Sequence, residues 1–188
     1  METVTFVTGN TYKFQVAQLA LKDTGINLVQ NVINPPEIQS ISVSEIASQS
    51  AIWAAEKLKQ PVIVTDVGYY IKSLNGFPGP FIKWVNSWFT TQDYLNLLKD
   101  KTDRSVDVVE ALAFCRPGEL PHVFTDAIPA TLAESLGSSG GYSPISAIYI
   151  PQGYSVVESE LSRETMVDYW NKHSTKWQQF IDFYKSLI

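Results

Sequence analysis

Val4-Thr5-Phe6-Val7-Thr8-Gly9-Asn10-Thr11-Tyr12-Lys13 passes directly from an apolar, strand-like run into a helix-like segment. Asn10 suits the helix N-cap, because a short polar side chain there accepts from the amides of the first turn, and Gly9 lets the backbone approach a ligand closely. Lys13 falls in the first helical turn, where its charge opposes the helix dipole, and no acid among residues 11–14 offsets it. Backbone amides at a helix start, a close-approach glycine and a lysine together suit a phosphate group. The same residues also fit a solvated lysine after an ordinary strand-to-helix turn.

Outward from this turn, strand signals recur at residues 3–7, 28–33, 62–66, 106–115, 122–126 and 146–150, with helix patterns at 11–22, 44–58, 91–99 and 163–187. The interleaving predicts an α/β fold. The stretches around Val106–Phe114 and His122–Thr131, joined across Arg116-Pro117-Gly118-Glu119, read as an antiparallel hairpin. The sheet is therefore expected to be mixed, partly antiparallel and twisted, with flanking helices. The last helical pattern aligns Met166, Trp170, His173, Trp177, Phe180, Tyr184 and Leu187 on one apolar stripe, where a histidine reads as a core residue.

At 188 residues, 45% of them hydrophobic, with aromatic residues throughout, the chain is expected to form one domain over 1–188. A net charge of −5 disfavours general affinity for nucleic acid, which needs a dense basic surface, but leaves room for a small anion in a local basic pocket. The lone Cys115 follows Ala111-Leu112-Ala113-Phe114 and reads as a buried strand thiol. No stretch approaches the roughly 20 apolar residues of a membrane span, and no basic leader precedes the first strand, so a cytoplasmic location is expected.

Two carboxylates stand out. Asp66 ends the run Val62-Ile63-Val64-Thr65 before Gly68, which places it at the expected mouth of a buried strand. Glu37 follows Pro35-Pro36, which stiffen the chain leading to it. Such acids suit Mg²⁺, which takes one or two carboxylates and fills its remaining positions with phosphate oxygens and water. Leu74-Asn75-Gly76-Phe77-Pro78-Gly79-Pro80-Phe81-Ile82-Lys83-Trp84 packs glycines and prolines into a rigid loop, from which Lys83 either reaches an anion or faces solvent on a short helix. In Gly137-Ser138-Ser139-Gly140-Gly141-Tyr142-Ser143-Pro144, Tyr142 can stack on a ring.

Together, Thr8-Gly9-Asn10-Thr11-Tyr12-Lys13, Pro36-Glu37, Val64-Thr65-Asp66, the Leu74–Trp84 segment, Gly141-Tyr142-Ser143-Pro144, Pro151-Gln152-Gly153-Tyr154 and late His173 resemble the inosine triphosphate pyrophosphatase, or Ham1-like, family. The resemblance implies two lobes with a nucleotide cleft between them, and a homodimer. It also implies Mg²⁺-dependent hydrolysis of nucleoside triphosphates bearing deaminated purines to the monophosphate and pyrophosphate. By the same resemblance, Thr8, Asn10 and Lys13 hold phosphates, Glu37 and Asp66 organise metal and water, and Lys83 contacts the triphosphate. Tyr142, Ser143 and His173 then lie on the base side.

The chain departs from the family pattern at Thr65, where a second acid is usual, and at Ser143, where an aspartate helps recognise the purine. Ser174 follows His173 in place of an arginine, and Asp168 falls near a usual phosphate-binding lysine. Lys172 and Lys176 flank the altered position. These changes point to a relaxed or shifted base preference. A non-catalytic nucleotide-binding protein on the same fold is the alternative expectation.

Overall fold

A computed structural model describes residues 3–137 and 141–187; Met1, Glu2, Ser138, Ser139, Gly140 and Ile188 lie outside them, and with them part of the Gly137–Pro144 stretch. Among the described residues the strands are β1 Thr3–Val7, β2 Asn27–Asn31, β3 Val62–Ile71, β4 Pro78–Gly79, β5 Ser105–Cys115, β6 His122–Leu132 and β7 Tyr149–Ile150. The α-helices are α1 Thr11–Ala20, α2 Val43–Leu58, α3 Ile82–Trp88, α4 Thr91–Leu97, α5 Arg163–His173 and α6 Lys176–Ser186. The sheet runs β2-β1-β3-β5-β6-β7, with β4 paired to β3 off that path. Parallel β1–β2 and β1–β3 pairs coexist with antiparallel β3–β4 and β6–β7 pairs, so the mixed α/β reading holds.

The chain divides into two compact units. The first comprises Met1–Asp66, Glu110–Asp126 and Val167–Ile188. Its core is aromatic: Phe6 meets Trp177 edge-on at 5.8 Å, and Phe114 meets Phe180 at 5.5 Å and Tyr184 at 5.8 Å. Helix α2 buries Ala47, Ala51, Ala54 and Ala55, whose small side chains at helical spacing permit close approach to its neighbours. Ser42 caps its start by accepting from the Glu45 amide. The second unit comprises Val67–Val109 and Ala127–Met166, with Tyr94, Leu98, Val106, Val108 and Tyr149 at its centre. There α4 opens on a capping box in which Thr90 and Asp93 satisfy each other's backbone amides.

Three expectations are corrected. Strand β3 does not end at Asp66 but continues through Gly68 to Ile71. Gly68 is buried where β4 crosses closely: a Cβ there would meet Tyr70 Cε2 at 2.7 Å and the Gly79 and Pro80 backbone at 3.0 Å. Gly68→Ala is expected to destabilise the fold by about 1–3 kcal/mol in a urea titration, the usual cost of overpacking.

The pattern at 163–187 forms two helices, not one. The Lys176 amide donates to Asp126 Oδ2 at 3.0 Å, and the Ser174 hydroxyl is directed to the Glu110 and Asp126 carboxylates, so the chain turns away from a continuous ladder. Met166, Trp170, Trp177, Phe180 and Tyr184 keep the buried stripe, His173 is half-buried and Leu187 is exposed. The segment 146–150 is the end of a 3₁₀ turn at Ile145–Ala147 followed by the short β7, since Ser146 bonds back to Ser143.

Candidate functional site

The site is built from the β1–α1 turn in the first unit. Asn10 is the N-cap: its Oδ1 accepts from the Tyr12 amide at 2.9 Å and the Lys13 amide at 3.3 Å. Thr8 Oγ1 accepts from the Asn10 amide at 3.1 Å, and Thr8 is tied to the neighbouring strand through Asn31 O and the Gln30 amide group. Gly9 is exposed, and a Cβ there would meet only Val32 Cγ1 at an ordinary 3.5 Å. The protein's own packing therefore does not demand glycine at this point.

Lys13 turns inward from α1, and its ammonium donates to the Thr65 carbonyl at 3.3 Å. Residue 65 thus serves this lysine through its backbone, whatever its side chain. The lysine is half-buried as a residue, but its charged end sits deep, and that desolvation lowers its pKa more than any other influence. Asp66 is the strongest charge opposing the shift, followed by Glu110; Lys176 acts in the opposite direction, and Glu37 adds a weaker attraction. The structure therefore brings Lys13, Asp66 and Glu37 into one electrostatic neighbourhood. Asp66 lies half-buried within β3, and Glu37 is exposed on the irregular segment after Pro35-Pro36.

Glu110 and Asp126 belong to the same cluster and were not singled out from sequence. Lys176 is buried and ion-paired with Glu110. The Asp126 carboxyl is pushed upward by burial, with Glu110 adding to the shift, against the Lys176 ammonium and the bonds from the Lys176 amide and Ser174 hydroxyl. The available sequence signal was a charge interrupting each apolar strand, Glu110 before Ala111-Leu112-Ala113 and Asp126 between Phe124 and Ile128.

His173 closes α5. Its Nδ1 lies 2.9 Å from the Tyr169 carbonyl, and a carbonyl can only accept, so Nδ1 carries the proton and Nε2 of the neutral ring is an acceptor. In the second unit, Lys83 is exposed on α3 with its ammonium 5.4 Å from the Trp84 ring centre. Tyr142 is 73% exposed. Beside it, Ser143 is fixed by Ser146, whose hydroxyl donates to the Ser143 carbonyl at 2.7 Å. A recess lined by Lys99, Lys101 and Arg104 with Glu134 lies within the same unit.

Among the described residues no group of three or more His, Cys, Asp or Glu is arranged to hold a metal ion, and no helix is long and apolar enough to cross a membrane.

The sequence model of the Ham1 family matches residues 4–173. The chain belongs to the Ham1 family. Among the relatives of this Ham1 chain, a dITP/XTP pyrophosphatase of Methanopyrus kandleri is 37% identical over 188 residues, covering 98% of this chain and 97% of the relative. An inosine triphosphate pyrophosphatase of Ajellomyces capsulatus is 30% identical over 183 residues, covering 96% and 97%. A HAM1 protein from Coxiella burnetii shares the fold with a TM-score of 0.81 over 99% of this chain and 100% of that one, at 20% identity. The Ham1 match takes in the β1–α1 turn and both candidate carboxylates, and stops before Ser174 and Lys176.

Proposed function

We propose that this Ham1 protein hydrolyses nucleoside or deoxynucleoside triphosphates carrying deaminated or otherwise non-standard purines, giving the monophosphate and pyrophosphate. The observation that carries the reading is the Lys13 side chain, which leaves the capped first turn of α1 and sets its ammonium on the Thr65 carbonyl with Asp66 and Glu37 acting on it. A polyphosphate repels an incoming water, so catalysis is largely positioning and charge neutralisation. The amides of the Thr8–Lys13 turn and the Lys13 ammonium supply donors and positive charge for phosphate oxygens. By the family resemblance, Lys83 is a further phosphate contact, and Tyr142, Ser143 and His173 are base contacts. An Nε2 acceptor on His173 and a serine hydroxyl at 143 discriminate less sharply than charged groups, which supports a relaxed or shifted base preference.

Asp66 and Glu37 are the metal ligands in this reading. Two hard oxygen donors beside a phosphate-binding lysine match Mg²⁺, which commonly takes one or two carboxylates and leaves its other positions to phosphate and water. When bound, the ion neutralises charge on the phosphates. Asp66, anchored within a strand, also orients the attacking water and accepts its proton. A homodimer in the cytoplasm, acting on free nucleotides and not on nucleic acid, completes the reading; the net charge of −5 supports the last point.

A panel of ordinary, deaminated and modified triphosphates, with pyrophosphate and orthophosphate measured separately, tests it. Monophosphate and pyrophosphate should appear in equal amounts, with activity abolished by chelator and restored by Mg²⁺. Orthophosphate as the primary product, or turnover indifferent to the chelator, would overturn the reading.

A further inference from the structure

The break between α5 and α6 carries an ionic network that the phosphate site does not itself explain. Lys176 is 3% exposed, and its ammonium donates to Glu110 Oε2 and Ser174 Oγ. The Ser174 hydroxyl has one proton to share between Glu110 Oε2 at 2.9 Å and Asp126 Oδ2 at 3.0 Å, and Asp126 Oδ2 also receives the Lys176 amide. Desolvating such a pair costs about as much as its attraction returns, so cementing the core is a weak reason for it. Its location is specific: Trp177, next in sequence, packs on Phe6 of β1, and Asn171 at the end of α5 donates to Val16 O of α1. One end of the break thus rests on α1, which carries Lys13, and the other on β1, which leads into it. Lys13 itself reaches the Thr65 carbonyl on β3, the strand beside β5, which carries Glu110; from there the Glu110 carboxylate favours the charged lysine and the Lys176 ammonium disfavours it.

We propose that the Lys176–Glu110 pair is a positioning device for Lys13: Glu110 holds the lysine on its inward side, and Lys176 weakens that hold enough for Lys13 to serve a polyphosphate. The proposal rests on the reading of Lys13 as a phosphate-binding residue. It differs from a structural role in the signs it requires. With Lys176 neutralised, Glu110 competes for Lys13 without opposition. With Glu110 neutralised, Lys13 is released and a second cation is left beside it.

Titration calorimetry of the full chain with inorganic pyrophosphate decides the matter. Lys176→Met should weaken binding by about 10-fold, Glu110→Gln should tighten it by about 3-fold, and the double variant should return to within about 3-fold of the parent, the range seen for close charge coupling. High salt should shrink both single-variant shifts. Weakening in both single variants, or a double variant no nearer the parent than Lys176→Met, would overturn the proposal. Should Lys176→Met fail to fold, tighter binding by Glu110→Gln supports it and unchanged or weaker binding overturns it. Lys13→Ala separates the two levels: if it binds pyrophosphate like the parent, the reading of Lys13 falls and the proposal with it. If it binds weakly while the two single variants shift alike, only the proposal falls.

Discussion

Asp66→Asn is expected to lower kcat for triphosphate hydrolysis by about 10²–10⁴-fold, the range associated with a positioned acid or base, with little change in melting temperature. The substitution keeps the size and hydrogen-bonding outline of the side chain within β3, so the strand and its pairing persist. It removes the negative charge that acts most strongly on Lys13, one of the two proposed metal ligands and the proton acceptor. Pyrophosphate release at saturating Mg²⁺ and substrate measures the effect. Activity within a few-fold of the parent would remove Asp66 from the mechanism.

The second large effect is expected from Lys13→Ala, which should reduce kcat/KM by about 10²-fold or more, since charge-assisted contacts to phosphate strengthen as charge develops on the leaving group. Fold stability should change little by comparison. Burial already disfavours the charged form of this lysine more than its neighbours favour it, so a neutral replacement relieves desolvation while it forfeits the Thr65 contact. Denaturant midpoints measured beside the kinetics distinguish this functional loss from unfolding. A loss of activity matched by a loss of fold would mean that Lys13 holds the turn together and does not serve the substrate.

The legible parts of the molecule were those decided by neighbours in sequence. Asn10 caps α1 because the amides it needs lie two and three residues ahead, and no distant partner is required. The β5–β6 pairing was readable for the same reason, two strand-like runs across a proline-glycine turn. Gly68 misled because a glycine after an apolar run reads as an end, whereas here it marks the crossing of β4, a contact made by residues beyond Pro78. The helix break at Ser174-Thr175 was hidden because its acceptors, Glu110 and Asp126, lie 48 to 66 residues away on two strands. Candidate residues divided likewise. Thr8, Asn10 and Lys13 were marked by local chemistry, and Asp66 and Glu37 by position and resemblance. Glu110, Asp126 and Lys176 acquire meaning only once three separated segments meet.

The absence of a second acid at Thr65 also changes weight. Lys13 uses the carbonyl of that residue, a group that every residue type provides, so the departure from the family pattern leaves the lysine's support intact. What it removes is one negative charge near Asp66, and the remaining pair of carboxylates is a number that Mg²⁺ with a phosphate ligand accommodates.

The most direct measurement is a crystal structure of the chain with Mg²⁺ and a triphosphate analogue blocked between the α- and β-phosphates. The account predicts phosphate oxygens on the Thr8–Lys13 turn, the Lys13 ammonium among them, and Asp66 and Glu37 as the protein ligands of the ion. A triphosphate seated instead in the Lys99, Lys101 and Arg104 recess, with Lys13 still donating to Thr65, would contradict it.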